Sequence, residues 1–70
     1  MSKPKLNRIK AVLAEEGVTS VALAQALDKN PVSVSRWCNN LSQPSLETLF
    51  DIAQFLDVDV FRLLISNKVS

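Results

Sequence analysis

The sequence has 70 residues, a length that fits one domain, and 47% of them are hydrophobic. Eight basic and seven acidic residues leave a formal charge of +1. Because the hydrophobic fraction is high and the net charge is low, the chain is too apolar for a disordered segment and can build a core. That core is small, because a chain of this length buries only about 60% of its unfolded surface, and a deep cleft between two lobes is excluded.

The residue types that are missing exclude most catalytic and metal chemistry. The chain has no His and no Tyr, and Cys38 is its only cysteine. An intrachain disulfide, a Cys/His zinc site and a His-based general base are therefore ruled out. We predict a protein that is not an enzyme and that needs no metal and no cofactor.

No apolar run approaches the roughly 18–20 residues that a membrane span needs. The first residues, Met-Ser-Lys-Pro-Lys, lack the apolar stretch of a secretory signal. We expect a cytoplasmic protein that makes no membrane contact.

The charge is unevenly distributed along the chain. Residues 1–43 carry six basic and three acidic residues, a net +3, whereas residues 44–70 carry two basic and four acidic residues, a net −2. This asymmetry favours a nucleic-acid-binding face on the first half, although charged runs are more often ordinary solvated surface.

The first helical segment carries apolar residues at i, i+3 and i+7, which are Leu6, Ile9 and Leu13. Gly17 is predicted to end this helix, because glycine takes the left-handed C-terminal conformation without strain. Four basic residues lie mostly away from the apolar stripe: Lys3, Lys5, Arg8 and Lys10. They form either a solvated helix face, the commoner case, or a phosphate-binding surface.

A second helix is predicted to begin at a cap formed by Thr19 or Ser20 and to end before a turn at residues 28–30. Its apolar face consists of Leu23, Ala24 and Leu27. Asn30 and Pro31 are predicted to be the N-cap and first residue of a third helix, because proline supplies the fixed φ that this position tolerates.

The third helix directs Val34 and Trp37 to one side, at the spacing typical of core residues. Asn39 and Asn40 are predicted to close it, because asparagine is second to glycine in accepting a left-handed cap. Cys38 has no basic neighbour adjacent in sequence, so we interpret it as an inert residue at the helix end.

Ser45 is predicted to cap a fourth helix and Asp59 a short fifth one. The core residues predicted for this half are Leu46, Leu49, Ile52, Ala53, Leu56, Val58 and Leu63. Strand-like alternation does not compete anywhere in the sequence. The predicted fold class is all-α, a compact five-helix bundle that forms a single domain over residues 1–70.

Residues 19–40 have the pattern of a helix-turn-helix, in which two helices of about eight residues flank a short turn. Ala24 supplies the small side chain needed where the two helices cross. Ser33, Ser35 and Arg36 make the outer face of the second of these helices polar enough to enter a groove of DNA.

The run from Thr19 to Asn40, continued by residues 43–58, resembles the Xre/Cro-type repressor domains. The shared features are the Leu23-Ala24 pair, Ser35-Arg36-Trp37, and the spacing of Pro44, Leu49, Ile52-Ala53, Leu56 and Val58. The resemblance extends over roughly residues 5–65. It implies a lambda-repressor-like bundle that binds double-stranded DNA.

The resemblance also implies site residues, position by position. Those implied to read bases in the major groove lie on a recognition helix at about residues 31–39, and they are Pro31, Val32, Ser33, Ser35 and Arg36. Those implied to contact phosphates are Ser20, Asn39 and Asn40.

Three departures from the family pattern affect this assignment. Ser20 and Pro31 stand where the family often has glutamine, and Cys38-Asn39-Asn40 replaces a sequence that usually ends in glycine. Without an amide at position 31 the chain loses a group that could read adenine. Base readout then rests on the remaining residues of the recognition helix, with Val32 contacting a thymine methyl group.

Four apolar residues near the C-terminus exceed what the core needs, and they are Phe55, Phe61, Leu64 and Ile65. One interpretation is that they form an interface for a homodimer, because a contiguous apolar patch usually marks an interface. The other is that the short last helix folds back and covers them.

The function predicted from these features is a sequence-specific, repressor-like transcriptional regulator that binds double-stranded DNA. The alternative is a helical protein–protein interaction module with vestigial DNA binding, such as an antitoxin-like partner protein. The near-neutral charge and the absent glutamines favour that alternative.

Overall fold

The structure is a computed structural model that describes residues 5–68. Within this range the chain forms four α-helices: α1 (Ile9–Glu16), α2 (Ser20–Leu27), α3 (Pro31–Cys38) and α4 (Leu46–Leu56). A single 3-10 turn follows at Val60–Leu63. No helix of the described range is long and apolar enough to cross a membrane.

The predicted all-α class is confirmed, but the count of five helices is wrong, because the last element is one 3-10 turn. Asp59 caps it as predicted, with its carboxylate accepting a hydrogen bond from the Phe61 N–H at 2.9 Å. Leu64 then adopts an extended conformation and forms an isolated antiparallel bridge with Asn7. The backbone leaves the helical region there, so the turn does not continue into an α-helix.

Helix α1 begins later than the apolar spacing predicts. Leu6 precedes the helix and is exposed, and its carbonyl accepts a hydrogen bond from the Ile65 N–H at 3.1 Å. The Asn7 side chain instead starts the first turn, because its Oδ1 accepts from the Ile9 N–H at 3.0 Å. The spacing identified the helix correctly but placed its start one turn too early.

Each of the four α-helices is followed within two residues by a residue with positive φ: Gly17, Asp28, Asn40 and Asp57. The residue after each of these donates a backbone hydrogen bond to the carbonyl five residues earlier, as the Val18 N–H does to the Leu13 carbonyl at 2.9 Å. The predicted ends at Gly17 and Asn40 are confirmed. Among the start signals, Thr19 rather than Ser20 caps α2, since its hydroxyl accepts from the Ala22 N–H at 3.0 Å.

The core is formed by buried residues from every helix and from the 3-10 turn: Ile9, Val12, Leu13, Leu23, Ala24, Val34, Trp37, Leu49, Ile52, Ala53, Leu56 and Leu63. Trp37 is a core residue, as predicted. Leu46 is not, because 71% of it is exposed at the first position of α4. Val58 is partly buried against the core.

The packing of these helices gives α3 one exposed face. Helix α2 packs against α3 and α4, while α1 packs against α3 and the 3-10 turn. Ala24 is buried in α2, as the predicted crossing of α2 and α3 requires.

Ion pairs join the end of α1 to the 3-10 turn. Arg62 contacts Glu15 at 2.6 Å and Glu16 at 3.5 Å, and Arg8 lies 3.6 Å from Glu15. Two carboxylates at a helix C-terminus oppose the helix dipole, and the Arg62 guanidinium offsets that repulsion. The side chains are partly exposed, so each pair contributes little to stability.

Candidate nucleic-acid interface

The exposed face of α3 is built by helical periodicity. Val32, Ser35, Arg36 and Asn39 are exposed at positions i, i+3, i+4 and i+7, and therefore share one side of the helix. The opposite side is fixed in the core by buried residues, Val34 and Trp37. A rigidly anchored helix with a continuous outer face is the shape that fits the major groove of DNA.

The start of α3 is held in place by its cap. Asn30 Oδ1 accepts a hydrogen bond from the Val32 N–H at 2.8 Å, and Pro31 occupies the first position, as predicted. Pro31 and Val32 are exposed, Val32 by 67%, whereas Ser33 is half-buried at the edge of the face. Val32 thus presents an apolar side chain to solvent at the end of the helix predicted to enter the groove.

Arg36 is the cation on this face. It is exposed and forms no ion pair among the residues that the structure describes. A guanidinium without a protein partner is available for the two parallel hydrogen bonds that arginine makes with guanine.

Two of the three residues predicted to contact phosphates lie beside the same groove. Ser20 is half-buried at the first position of α2, and Asn39 is exposed just after α3, where its Nδ2 donates to the Ser35 carbonyl at 2.9 Å. Both line a groove of about 270 Å³.

The third of these residues, Asn40, is placed inside the fold. Only 8% of it is exposed, and its Oδ1 accepts from the N–H groups of Leu6 at 2.9 Å and Asn7 at 3.1 Å. Its Nδ2 donates to the Asn7 carbonyl at 3.1 Å. The amide is buried and hydrogen-bonded to the segment before α1, so in this structure Asn40 positions the end of α3.

Sequence reasoning missed the partners of Asn40. Asn7 is buried and donates through Nδ2 to the Trp37 carbonyl at 3.0 Å and to Gln43 Oε1 at 2.7 Å. Gln43 also donates to Asn40 Oδ1 at 3.1 Å. These residues lie thirty or more positions from Asn7 in the sequence, and no local pattern links them to it.

The basic residues near the start of the chain differ in whether they form ion pairs. Lys5 and Lys10 are exposed and form no ion pair within residues 5–68, whereas Arg8 contacts Glu15 and donates to the Arg62 carbonyl at 3.2 Å. Lys3 lies outside the described residues.

Cys38 is half-buried at the end of α3. Burial raises the pKa of its thiol, and the nearby Lys10 lowers it by less. Since the thiolate is the nucleophile, burial makes Cys38 a slow one, in agreement with its interpretation as an inert residue.

The buried anchor, the capped turn at residues 28–30 and the exposed face of α3 define a helix-turn-helix protein. The Cro/C1-type model of the helix-turn-helix family (HTH_3) matches residues 9–63, and the chain belongs to this family. Comparison with functionally curated proteins finds no match.

A solved structure supports the same assignment. It is the crystal structure of a protein from Bacteroides fragilis to which DNA binding is provisionally ascribed. The two sequences are 48% identical, with a TM-score of 0.84 over 86% of this chain and 97% of that one.

Proposed function

We propose that this protein is a sequence-specific transcriptional regulator of the repressor type, which binds double-stranded DNA by placing α3 in the major groove. The observation that carries the proposal is the outer face of α3, where Arg36 is flanked by small or apolar side chains and has no ion-pair partner among the described residues. The proposed activity is binding, without catalysis. A double-stranded DNA target also favours the cytoplasmic location expected from the sequence.

Selection of duplexes from a random pool with the purified protein tests this function. We expect enrichment of a pseudo-palindromic sequence and an affinity that falls steeply as salt rises, because each neutralised phosphate releases counterions. No enrichment, together with binding that does not depend on salt, would contradict the proposal and favour the protein–protein interaction module.

Replacing Arg36 by alanine tests base readout directly. We expect Arg36→Ala to weaken binding to the selected site by about 1–3 kcal/mol and to relax specificity at one base pair, because it removes a bidentate contact. The measurement is a fluorescence-anisotropy titration of the selected duplex and its single-base variants.

Arg36→Lys is the matched control, since it keeps the charge and loses the planar pair of donors. It should recover part of the affinity and little of the specificity. If Arg36→Ala binds every duplex as the parent protein does, Arg36 does not read bases.

We also propose that the protein binds DNA as a homodimer through the C-terminal apolar patch of Phe55, Phe61, Leu64 and Ile65. All four residues are partly exposed, Phe61 by 77%, Phe55 by 45%, Ile65 by 41% and Leu64 by 38%, which leaves apolar surface available to a second copy. Two copies related by a two-fold axis would present two recognition helices, with half-sites about 34–36 Å apart. Binding both half-sites together would offset the limited base readout of each.

Charging the patch tests the dimer. We expect Phe61→Lys to fold normally, because the side chain is exposed, and to sediment as a monomer with much weaker binding to the palindrome. Analytical ultracentrifugation and circular dichroism check the two expectations. A parent protein that stays monomeric at high micromolar concentration, both free and on DNA, would exclude the dimer.

A further inference from the structure

The side chains of Asn7, Asn40 and Gln43 are connected by hydrogen bonds, and we call this set the amide network. Asn7 Nδ2 donates to Gln43 Oε1 at 2.7 Å, and Gln43 Nε2 donates to Asn40 Oδ1 at 3.1 Å. Asn7 and Asn40 are buried, with 4% and 8% of each exposed. A buried polar network whose groups are all bonded favours one arrangement of the elements that it joins, because other arrangements leave polar groups unpaired.

The amide network is bonded to the end of α3. Asn7 Nδ2 donates to the Trp37 carbonyl at 3.0 Å, and that carbonyl also accepts from the Asn40 N–H at 3.1 Å. Trp37 directly follows Arg36, the cation of the exposed face. These bonds therefore fix the backbone beside the arginine that is proposed to pair with guanine.

The segment before α1 is held on its other side by the C-terminal residues of the fold. The Arg8 N–H donates to the Leu63 carbonyl at 2.8 Å, and the Ile65 N–H donates to the Leu6 carbonyl at 3.1 Å. The segment is thus bonded on both sides, which gives the amide network a fixed support.

The two ends of α3 are held in different ways. At the start, Asn30 Oδ1 accepts from the Val32 N–H within one turn of the helix. At the end, the Trp37 carbonyl is bonded to Asn7, which is 30 positions away and outside the helix-turn-helix. Loss of the amide network should therefore disturb the end of α3, which carries Arg36, and leave its start in place.

We propose that Asn7 is a positioning residue for base readout, which fixes the direction of Arg36 through the amide network and so contributes to sequence specificity. The proposal rests on the proposed function, in which Arg36 reads a base. Asn7 is buried, so its effect on readout passes through α3 and not through a contact with DNA. The direction of Arg36 matters because its two parallel hydrogen bonds with guanine weaken steeply when their angles change.

Asn7→Ser separates positioning from folding. A serine hydroxyl can accept from the Ile9 N–H, as Asn7 Oδ1 does at 3.0 Å, but it cannot make both amide donations. The Trp37 carbonyl keeps its bond from the Asn40 N–H, and Gln43 is exposed, so its amide can bind water. We therefore expect Asn7→Ser to fold and to melt cooperatively.

The measured quantity is the specificity ratio, which is the affinity for the selected duplex divided by that for a duplex changed at the base pair where Arg36→Ala relaxes specificity. We expect Asn7→Ser to lower this ratio by about tenfold, within the range that a bidentate contact supplies. Discrimination at the base pair read by Val32 should be unchanged. A protein that is merely less stable binds every duplex more weakly by the same factor, since only its folded fraction binds, and its ratio stays constant.

A matched control and a double-mutant cycle complete the test. Asn67→Ser makes the same change at an exposed residue outside the amide network and should keep the parent ratio. If Asn7 acts through Arg36, adding Asn7→Ser to Arg36→Ala should not lower the ratio further. An unchanged ratio in Asn7→Ser, or additive effects in the cycle, would overturn the proposal.

Gln43→Leu replaces Asn7→Ser in the same cycle if Asn7→Ser does not fold. In this variant Asn7 Nδ2 keeps the Trp37 carbonyl, and Asn40 Oδ1 keeps two backbone N–H groups, so both buried amides retain partners. The ratio should again fall, and the parent ratio here would reject the positioning role.

The outcomes also distinguish this proposal from the proposed function. If a selected duplex binds and Arg36→Ala relaxes its specificity while the amide-network variants do not, base readout by α3 stands and the role of Asn7 is rejected. If the random pool yields no bound duplex, the proposed function fails and the positioning role fails with it.

Discussion

Trp37→Ala should leave the protein largely unfolded at room temperature. Trp37 is buried on the inner side of α3, and truncating a buried aromatic residue typically costs about 3–5 kcal/mol. A domain of this size has a total stability at the lower end of about 5–15 kcal/mol. The expected result is weak helical circular dichroism and a broad, non-cooperative thermal transition.

Two controls make the Trp37 result interpretable. Trp37→Phe keeps an aromatic ring in the core and should lose less stability, whereas Val32→Ala lies on the exposed face and should melt as the parent protein does. A cooperative melt of Trp37→Ala near the parent temperature would show that this side chain does not hold α3 in place.

Asn40→Ala should be the next most damaging change, with a loss of about 3 kcal/mol in the free energy of unfolding. The Asn40 amide satisfies the backbone of Leu6 and Asn7, and leaving buried polar groups without partners costs about 1–3 kcal/mol each. Alanine is also strained at the φ of 55° found here. Urea unfolding followed by circular dichroism measures the loss.

Asn40→Gly separates the two causes, because glycine accepts the positive φ but cannot replace the amide. The difference between Asn40→Gly and the parent protein reports the hydrogen bonds, and the further loss in Asn40→Ala reports the backbone strain. If Asn40→Gly is as stable as the parent, the buried amide network contributes nothing measurable.

The local parts of the fold were predictable from the sequence, because their causes lie within a few residues. Asn30 and Ser45 cap α3 and α4 through hydrogen bonds to N–H groups two and three positions ahead. The periodicity that buries Val34 and Trp37 also determines which side chains of α3 point outward. The exposed face of α3 that is proposed to read DNA was therefore predictable from the sequence alone.

The remaining features depend on contacts between distant residues, which local patterns do not contain. Asn40 has the sequence signature of a helix end, and only the fold shows that its amide is buried against Asn7, 33 positions earlier. Leu46 fits the helical period but lies at the exposed start of α4.

The pairing of the two ends of the chain has a consequence for the order of folding. Arg8 donates to the Leu63 carbonyl at 2.8 Å and to the Arg62 carbonyl, which lies 54 positions away. Closing so long a loop has an entropic cost that nearby contacts avoid, whereas the α2–α3 pair joins segments separated by a three-residue turn. We expect α2 and α3 to associate early and the ends to meet late. The helix-turn-helix would then form before the hydrogen bonds between residues 6–8 and 62–65 that complete the fold.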